Sequence, residues 1–331
     1  MKTPTPIAEI TGTGRFLPEN VVTNLDLERS LDTSDEWIRT RTGIHERRIA
    51  PDDMCAAYLG AEAARGALEE AGADPGDVDI LIVSTATPDR WLPSTACDVQ
   101  AILGCDKAVA FDVMAACTGH LYALCLAEGY IAAGRARIAL VVAAEKMSAI
   151  VDWTDRKTAV LFGDGGGAAV LQPSKGFGRG ILSSHLQSDG NLANLLYRPG
   201  GGAIDPISQS MLDEGRHLLR MNGREIFKNA VRSMAEACEI AIKKAGWGAE
   251  DVDLLVPHQA NIRIIEATAK YAGVPMDKVF VNVDKYGNMS SATVPVAFDE
   301  AREQGRIREG SNVVTVAFGA GLTWGAMAIR M

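Results

Sequence analysis

Ala67-Leu-Glu-Glu-Ala-Gly-Ala-Asp-Pro-Gly-Asp-Val-Asp-Ile-Leu-Ile82 reads in three parts. An alanine-rich run with helical spacing closes at Gly72, because glycine takes the left-handed angles that end a helix. A turn built on Asp74, Pro75 and Gly76 follows, and then an apolar strand begins. The same order returns without a gap in Ala241-Ile-Lys-Lys-Ala-Gly-Trp-Gly-Ala-Glu-Asp-Val-Asp-Leu-Leu-Val256. The likeness spreads outward from there. Gly104-Cys-Asp-Lys-Ala-Val-Ala-Phe-Asp-Val113 resembles Gly273-Val-Pro-Met-Asp-Lys-Val-Phe-Val-Asn-Val283, and Ile138–Ala144 corresponds to Val313–Phe318. A repeat of roughly half the chain predicts a duplicated α/β unit, since solenoid repeats are far shorter. The division falls between residues 1–175 and 176–331. Two such halves about a pseudo-twofold axis bring equivalent strand ends together, where open α/β sheets bind ligands.

Three chemically useful residues lie just beyond those ends. Residues 108–113 predict a buried strand, and from Thr118 a helix of apolar and small residues begins. Cys117 therefore sits on a strand-to-helix elbow. Free N–H groups and the positive end of the helix dipole favour its thiolate there. By itself the residue reads equally as a small core side chain. His258 follows the apolar strand that stops at Pro257, and Asn288 opens the small-residue loop Tyr286-Gly-Asn-Met-Ser-Ser-Ala-Thr293. Alone, the first is a common structural histidine and the second a common turn. Together with Cys117 they make a Cys/His/Asn set at matching strand ends. Val316-Ala-Phe-Gly-Ala-Gly-Leu-Thr-Trp324 adds a strand end of small residues whose N–H groups suit an oxyanion hole.

The 331 residues are 47% hydrophobic and 23% charged, which describes a soluble protein with a sizeable core. No apolar run has the length of a membrane span, and no signal-peptide pattern opens the chain. The cysteines at 55, 97, 105, 117, 125 and 238 form no Cys-x-x-Cys pair, so reduced thiols in a cytoplasm are expected. A formal charge of −9 argues against a general nucleic-acid binder. Metal-ligand spacing is absent, and no metal is expected. Gly163-Asp-Gly-Gly-Gly167 precedes a strand rather than a helix, so it predicts close backbone packing and not a dinucleotide loop.

On Ser34-Asp-Glu-Trp-Ile-Arg-Thr-Arg-Thr-Gly-Ile44, Ala115-Ala-Cys-Thr-Gly119, Asp155-Arg156, Phe162-Gly-Asp-Gly165, Pro257-His-Gln-Ala-Asn261, Tyr286-Gly-Asn288 and Phe318-Gly-Ala-Gly-Leu-Thr-Trp-Gly325, the chain resembles the β-ketoacyl-acyl-carrier-protein synthase III family over essentially its whole length. The resemblance implies an α/β thiolase fold, its duplicated halves forming a five-layered αβαβα sandwich. It implies a homodimeric acyltransferase that condenses an acyl-CoA primer with malonyl-acyl-carrier protein and starts fatty-acid synthesis. No cofactor is needed, because the CoA thioester is itself a substrate. Cys117 would be the nucleophile, His258 and Asn288 the donors for decarboxylation, and the backbone N–H groups of Cys117 and Ala320 the oxyanion hole. Trp37, Arg41, Arg156, Phe227, Ala260 and Asn261 fall at positions that meet CoA; Trp37 also reads as a core anchor. Gln259, Arg263, Lys228 and Lys270 match a patch for the acidic carrier protein, although charged helices are usually just solvated faces. Leu92 in Pro88-Asp-Arg-Trp-Leu-Pro93 matches the residue that reaches the other subunit's acyl pocket, and it reads equally as interface packing.

The chain departs from the family pattern at His120, where an aromatic Phe is common, at Met289, where Thr is usual, and at Arg224, where a smaller polar residue is common. An alternative within the same fold is therefore a specialised pathway that transfers the acyl group to another acceptor.

Overall fold

The computed structural model describes residues 7–176 and 178–331. Its first sheet contains β1 (Ala8–Phe16), β2 (Ile80–Ser84), β3 (Val109–Val113), β4 (Ala139–Lys146) and β5 (Asp164–Pro173) in the spatial order β1-β5-β4-β2-β3. The second contains β6 (Gly180–Ser188), β7 (Leu254–Pro257), β8 (Asn312–Gly319) and β9 (Thr323–Arg330) in the order β6-β9-β8-β7. Strand directions match position by position. β2 and β4 are parallel while β5 runs against β4 and β1; β7 and β8 are parallel while β9 runs against β8 and β6. The duplication read from the sequence is thus a duplication of sheets. Where the first sheet has β3, the second has one parallel bridge between Leu255 and Val279.

Helices α1 (Asp35–Thr42), α2 (Ala56–Ala71), α3 (Thr95–Leu103), α4 (Gly119–Ala132), α5 (Gly223–Lys244), α6 (Ile262–Tyr271) and α7 (Thr293–Glu303) complete the frame. α2 and α3 cover the outer face of the first sheet, and α5 and α6 that of the second. α4 and α7 lie between the sheets and touch both, which gives the five-layered αβαβα sandwich of the thiolase fold. The outer helices owe their place to an apolar face. In α5 the buried residues Ala230, Met234, Ala237, Cys238 and Ala241 recur at helical spacing, and Lys243 and Lys244 stand in the last turn, where cations suit the dipole. Leu121, Leu124, Val294, Phe298 and Ile329 join the central helices to both sheets in one core. The glycine run explains how close those layers come. A Cβ at Gly166 would strike the Leu59 carbonyl of α2, and one at Gly167 would lie 2.8 Å from Pro295 of α7.

Two local expectations need correction. The strand carrying the chain toward Cys117 is not fully buried. β3 is an edge strand, and Val109 is 57% exposed. Its apolar pattern describes its two faces and says nothing of the unpaired ladder along its side. The helix after Cys117 begins at Gly119, because the 3₁₀ turn Ala116–Thr118 comes first.

Candidate active site

Cys117 owes its position to the turn before it. Ala116 adopts φ 46°, a conformation uncommon for a residue with a side chain, and the reversal carries Cys117 between the halves at 7% exposure. Its neighbours come from the second half. Cys117 Sγ lies 3.6 Å from Ser290 Oγ, and β8 ends so close that a Cβ on Gly319 would sit 2.7 Å from the Cys117 nitrogen. Thr118 Oγ1 donates to Thr323 Oγ1 at 2.7 Å, which adds a second tie. The helix N-terminus expected to favour thiolate is outweighed. Burial pushes the thiol up to about 12; the Ser290 hydrogen bond opposes this, the Glu145 carboxylate adds to it, and the cysteine's own N–H opposes it.

His258 is held by main chain and side chain alike. Its N–H donates to the Val316 carbonyl at 2.7 Å, one step beyond the β7–β8 ladder. Its Nδ1 lies 2.5 Å from Thr293 Oγ1. The Thr293 hydroxyl also lies 3.0 Å from the Ser290 carbonyl and donates there, so it can accept from His258 Nδ1–H. Burial pulls the imidazole down to about 3 and keeps it neutral near pH 7.

Asn288 is pinned to the first half, its N–H donating to Leu161 O at 2.8 Å and its carbonyl accepting from Gly163 N at 3.1 Å. Asn288 Oδ1 accepts the Ser290 N–H at 2.8 Å. The bond fixes the amide orientation and leaves both Nδ2 hydrogens uncommitted. It also secures Ser290, whose φ of 47° is as uncommon as that of Ala116.

Behind this turn lies a group that sequence reasoning missed. Glu145, at the end of β4, is fully buried. Its Oε1 accepts from Ser291 Oγ (2.7 Å) and Ser291 N (3.2 Å). Its Oε2 accepts from Thr87 Oγ1 (2.9 Å) and Ala86 N (3.0 Å). Ser290 and Thr293 were missed too, since small polar residues in a loop carry no sequence signal of this kind. Glu145 had one: an acid closing an otherwise apolar strand is costly to bury without a purpose.

The arrangement has clear relatives. The family model for 3-oxoacyl-[acyl-carrier-protein] synthase III matches residues 111–190, and that for its C-terminal part matches residues 242–331. The β-ketoacyl-[acyl-carrier-protein] synthase III of Symbiobacterium thermophilum is 53% identical over 321 residues, covering 97% of each chain. The chain belongs to this family. It is an acyltransferase of the condensing type. The solved synthase III of Aquifex aeolicus superposes with TM-score 0.91 at 47% identity, over 98% of this chain and 100% of the other. A priming β-ketosynthase from the R1128 polyketide biosynthetic pathway gives TM-score 0.90 at 34% identity, over 99% and 97%.

The residues expected around the centre of this synthase III are placed unequally. Arg156 stacks on Trp37 with its guanidinium 5.4 Å from the ring, and its Nη1 donates to Asp32 O at 2.8 Å. Asn261 is committed at both ends, Oδ1 capping α6 through Arg263 N at 2.9 Å and Nδ2 donating to Arg41 O at 3.0 Å. Ala260 and Phe227 are half-buried, and Arg263 stacks over Phe227 at 5.5 Å. Lys228, Arg263 and Lys270 are exposed. Gln259 is not, which corrects its assignment to the carrier-protein patch. It is 1% exposed; its amide donates to Pro257 O and Phe280 O, and its oxygen accepts from Asn282 N and Val283 N. No partner can reach it. Leu92 is 85% exposed.

Proposed function

We propose that this synthase III performs the opening condensation of fatty-acid synthesis. An acyl-CoA acylates Cys117 and releases CoA; malonyl-acyl-carrier protein then loses carbon dioxide, and its enolate carbon attacks the acyl-cysteine. His258 and the Asn288 amide donate to the enolate oxygen, where negative charge develops. The backbone N–H groups of Cys117 and Ala320 hold the acyl oxygen. The reading rests above all on the meeting of Cys117 with the Asn288–Thr293 turn, in which one amide orientation leaves the Asn288 hydrogens free and Thr293 holds the His258 ring. The first half of the chain (1–175) then supplies the nucleophile and the second (176–331) the donors.

The CoA thioester is already activated, so no cofactor takes part. CoA approaches along Trp37, Arg41, Arg156, Phe227, Ala260 and Asn261, and the carrier protein docks on Lys228, Arg263 and Lys270. Exposed Trp91, Leu92, Val109 and Met114 on the β3 side support a homodimer formed along that edge. Six free cysteines suit a cytoplasmic location. None of the described helices is long and apolar enough to cross a membrane.

Intact-mass measurement after incubation with acetyl-CoA tests the nucleophile. Wild-type protein gains one acetyl group on Cys117 and Cys117→Ser gains none, because a serine hydroxyl is far less ionised. Equal acetylation of the variant at this site would overturn the assignment. In rapid-quench experiments, His258→Ala and Asn288→Ala lose decarboxylation by about a hundredfold or more, with acylation affected less. A second reading, priming of a specialised pathway, draws on the likeness to the polyketide ketosynthase and on the departures at His120 and Met289. Products formed from malonyl-acyl-carrier protein, set beside those from other acceptors, separate the two.

A further inference from the structure

Asn288 and His258 reach the centre from different elements, and one short turn joins their supports. Asn288 Oδ1 accepts from Ser290 N, and Thr293 Oγ1 lies 2.5 Å from His258 Nδ1. Ser291 stands between these two supports. Its N–H and its hydroxyl both donate to Glu145 Oε1, at 3.2 and 2.7 Å. We propose that Glu145 is a positioning residue for decarboxylation, which by holding Ser291 keeps Asn288 and His258 in register with each other and with Cys117.

The turn needs such a hold. Ser290 has φ 47°, a conformation that a residue with a side chain keeps only where its surroundings impose it. Backbone bonds from Asn288 to Leu161 and Gly163 fix the turn before Ser290, and the Glu145 carboxylate fixes it after. Ser291 and Glu145 are both fully buried, so no bulk water replaces a bond lost between them.

The other end of the carboxylate is tied to the half that carries the nucleophile. Glu145 closes β4, and its Oε2 accepts from Ala86 N at 3.0 Å and Thr87 Oγ1 at 2.9 Å, on the loop after β2. The Thr87 hydroxyl already accepts from Lys146 N at 2.8 Å, so its own proton points to Glu145. Lys146, next on β4, turns its Nζ away to the carbonyls of Pro51, Asp52 and Met54. The hydrogen bonds that hold Glu145 thus come from neutral donors. A charge buried in this way is costly, and for folding alone an apolar side chain of similar volume often serves as well.

Ionisation makes the clamp two-sided. Each oxygen meets a backbone N–H, Ser291 at Oε1 and Ala86 at Oε2, and a backbone N–H can only donate. The carboxylate accepts from both. The amide in Glu145→Gln cannot: whichever way it turns, its NH2 group faces one of these N–H groups, donor against donor. The same charge opposes ionisation of Cys117, so its removal favours the thiolate. The substitution therefore pushes the two half-reactions in opposite directions, which a loss of folding would not do.

This role rests on His258 and Asn288 as the groups that promote decarboxylation, and one experiment separates the two. Acetylation of Cys117 by acetyl-CoA and release of carbon dioxide from malonyl-acyl-carrier protein are timed by rapid quench. Wild type is compared with Glu145→Gln, Ser291→Ala, His258→Ala and Asn288→Ala. Glu145→Gln is expected to lose decarboxylation about tenfold to a hundredfold, as for lost hydrogen bonds to a charged group, and to acetylate Cys117 at least as fast as wild type. Ser291→Ala keeps the carboxylate and the N–H bond to it; it is expected to lose about tenfold, and it serves as the test if Glu145→Gln does not fold. A wild-type rate of decarboxylation in either variant, or equal loss in both half-reactions, overturns the positioning role. Normal decarboxylation by His258→Ala and Asn288→Ala overturns the reading beneath it as well.

Discussion

Thr293 is the side chain on which the histidine's function turns. Its hydroxyl lies 2.5 Å from His258 Nδ1 and 3.0 Å from the Ser290 carbonyl, and so holds the ring in place. Thr293→Val keeps the shape and strands Nδ1 in a buried site. Decarboxylation of malonyl-acyl-carrier protein is expected to fall about tenfold, equivalent to one lost hydrogen bond, with acylation of Cys117 little changed. Thr293→Ser restores the rate; equal loss in both half-reactions would assign Thr293 to folding instead. Cys117, His258 and Asn288 were legible in the sequence because each ends a repeated strand pattern. Thr293, Ser290 and Glu145 were not, since their bonds join positions far apart in the chain, 173 residues for Cys117 to Ser290 and 146 for Ser291 to Glu145. Such bonds leave no local trace.

Among the elements, the segment that carries Leu92 is anchored at both ends. The Asp89 carboxylate accepts from Ala56 N and Ala57 N at the start of α2, and that of Asp112 on β3 accepts from Thr95 N and Ala96 N at the start of α3. Carboxylates at helix N-termini are favourable partners, so the exposed tip between them is held in place. If Leu92 enters the partner's acyl pocket, Leu92→Phe narrows the preference toward acetyl-CoA and Leu92→Ala broadens it toward medium chains. Each additional buried methylene contributes about 0.8 kcal/mol, so the change is a shifted preference, not exclusion. Ratios of kcat/KM across acetyl-, isobutyryl-, hexanoyl- and octanoyl-CoA check this, and profiles that scale uniformly would leave Leu92 as interface packing. The edge position of β3 shows where element-level reading stopped. Apolar residues on both faces look the same whether the ladder beside them is filled or open.

For the whole molecule, the buried histidines tie stability to pH. His120, in the core between α4 and α7, and His258 are both pulled down to about 3 by burial, well below an ordinary histidine. Between those values the unfolded chain binds more protons than the folded one, so stability falls as pH drops below about 6.5. From pH 7 to 5 each contributes a loss of about 2 kcal/mol. His120 Nδ1 also meets no hydrogen-bond partner among the described residues. His120→Phe is therefore expected to raise Tm at pH 7 and to reduce the acid-induced decline, measured by thermal unfolding at both pH values. An unchanged decline would mean that His120 is not buried in its neutral form.

The unequal fate of the fifth strand bears on how far assembly can proceed. The first half keeps a five-residue ladder open along β3, while its duplicate retains a single bridge at Val279. Exposed ladders invite further pairing, and a molecule with sticky edges on both copies could add subunits without end. Two chains that join along β3 about a twofold axis consume both open ladders at once, because each edge meets its own copy. A twofold pairing of β3 with its own copy is therefore a contact that closes at two.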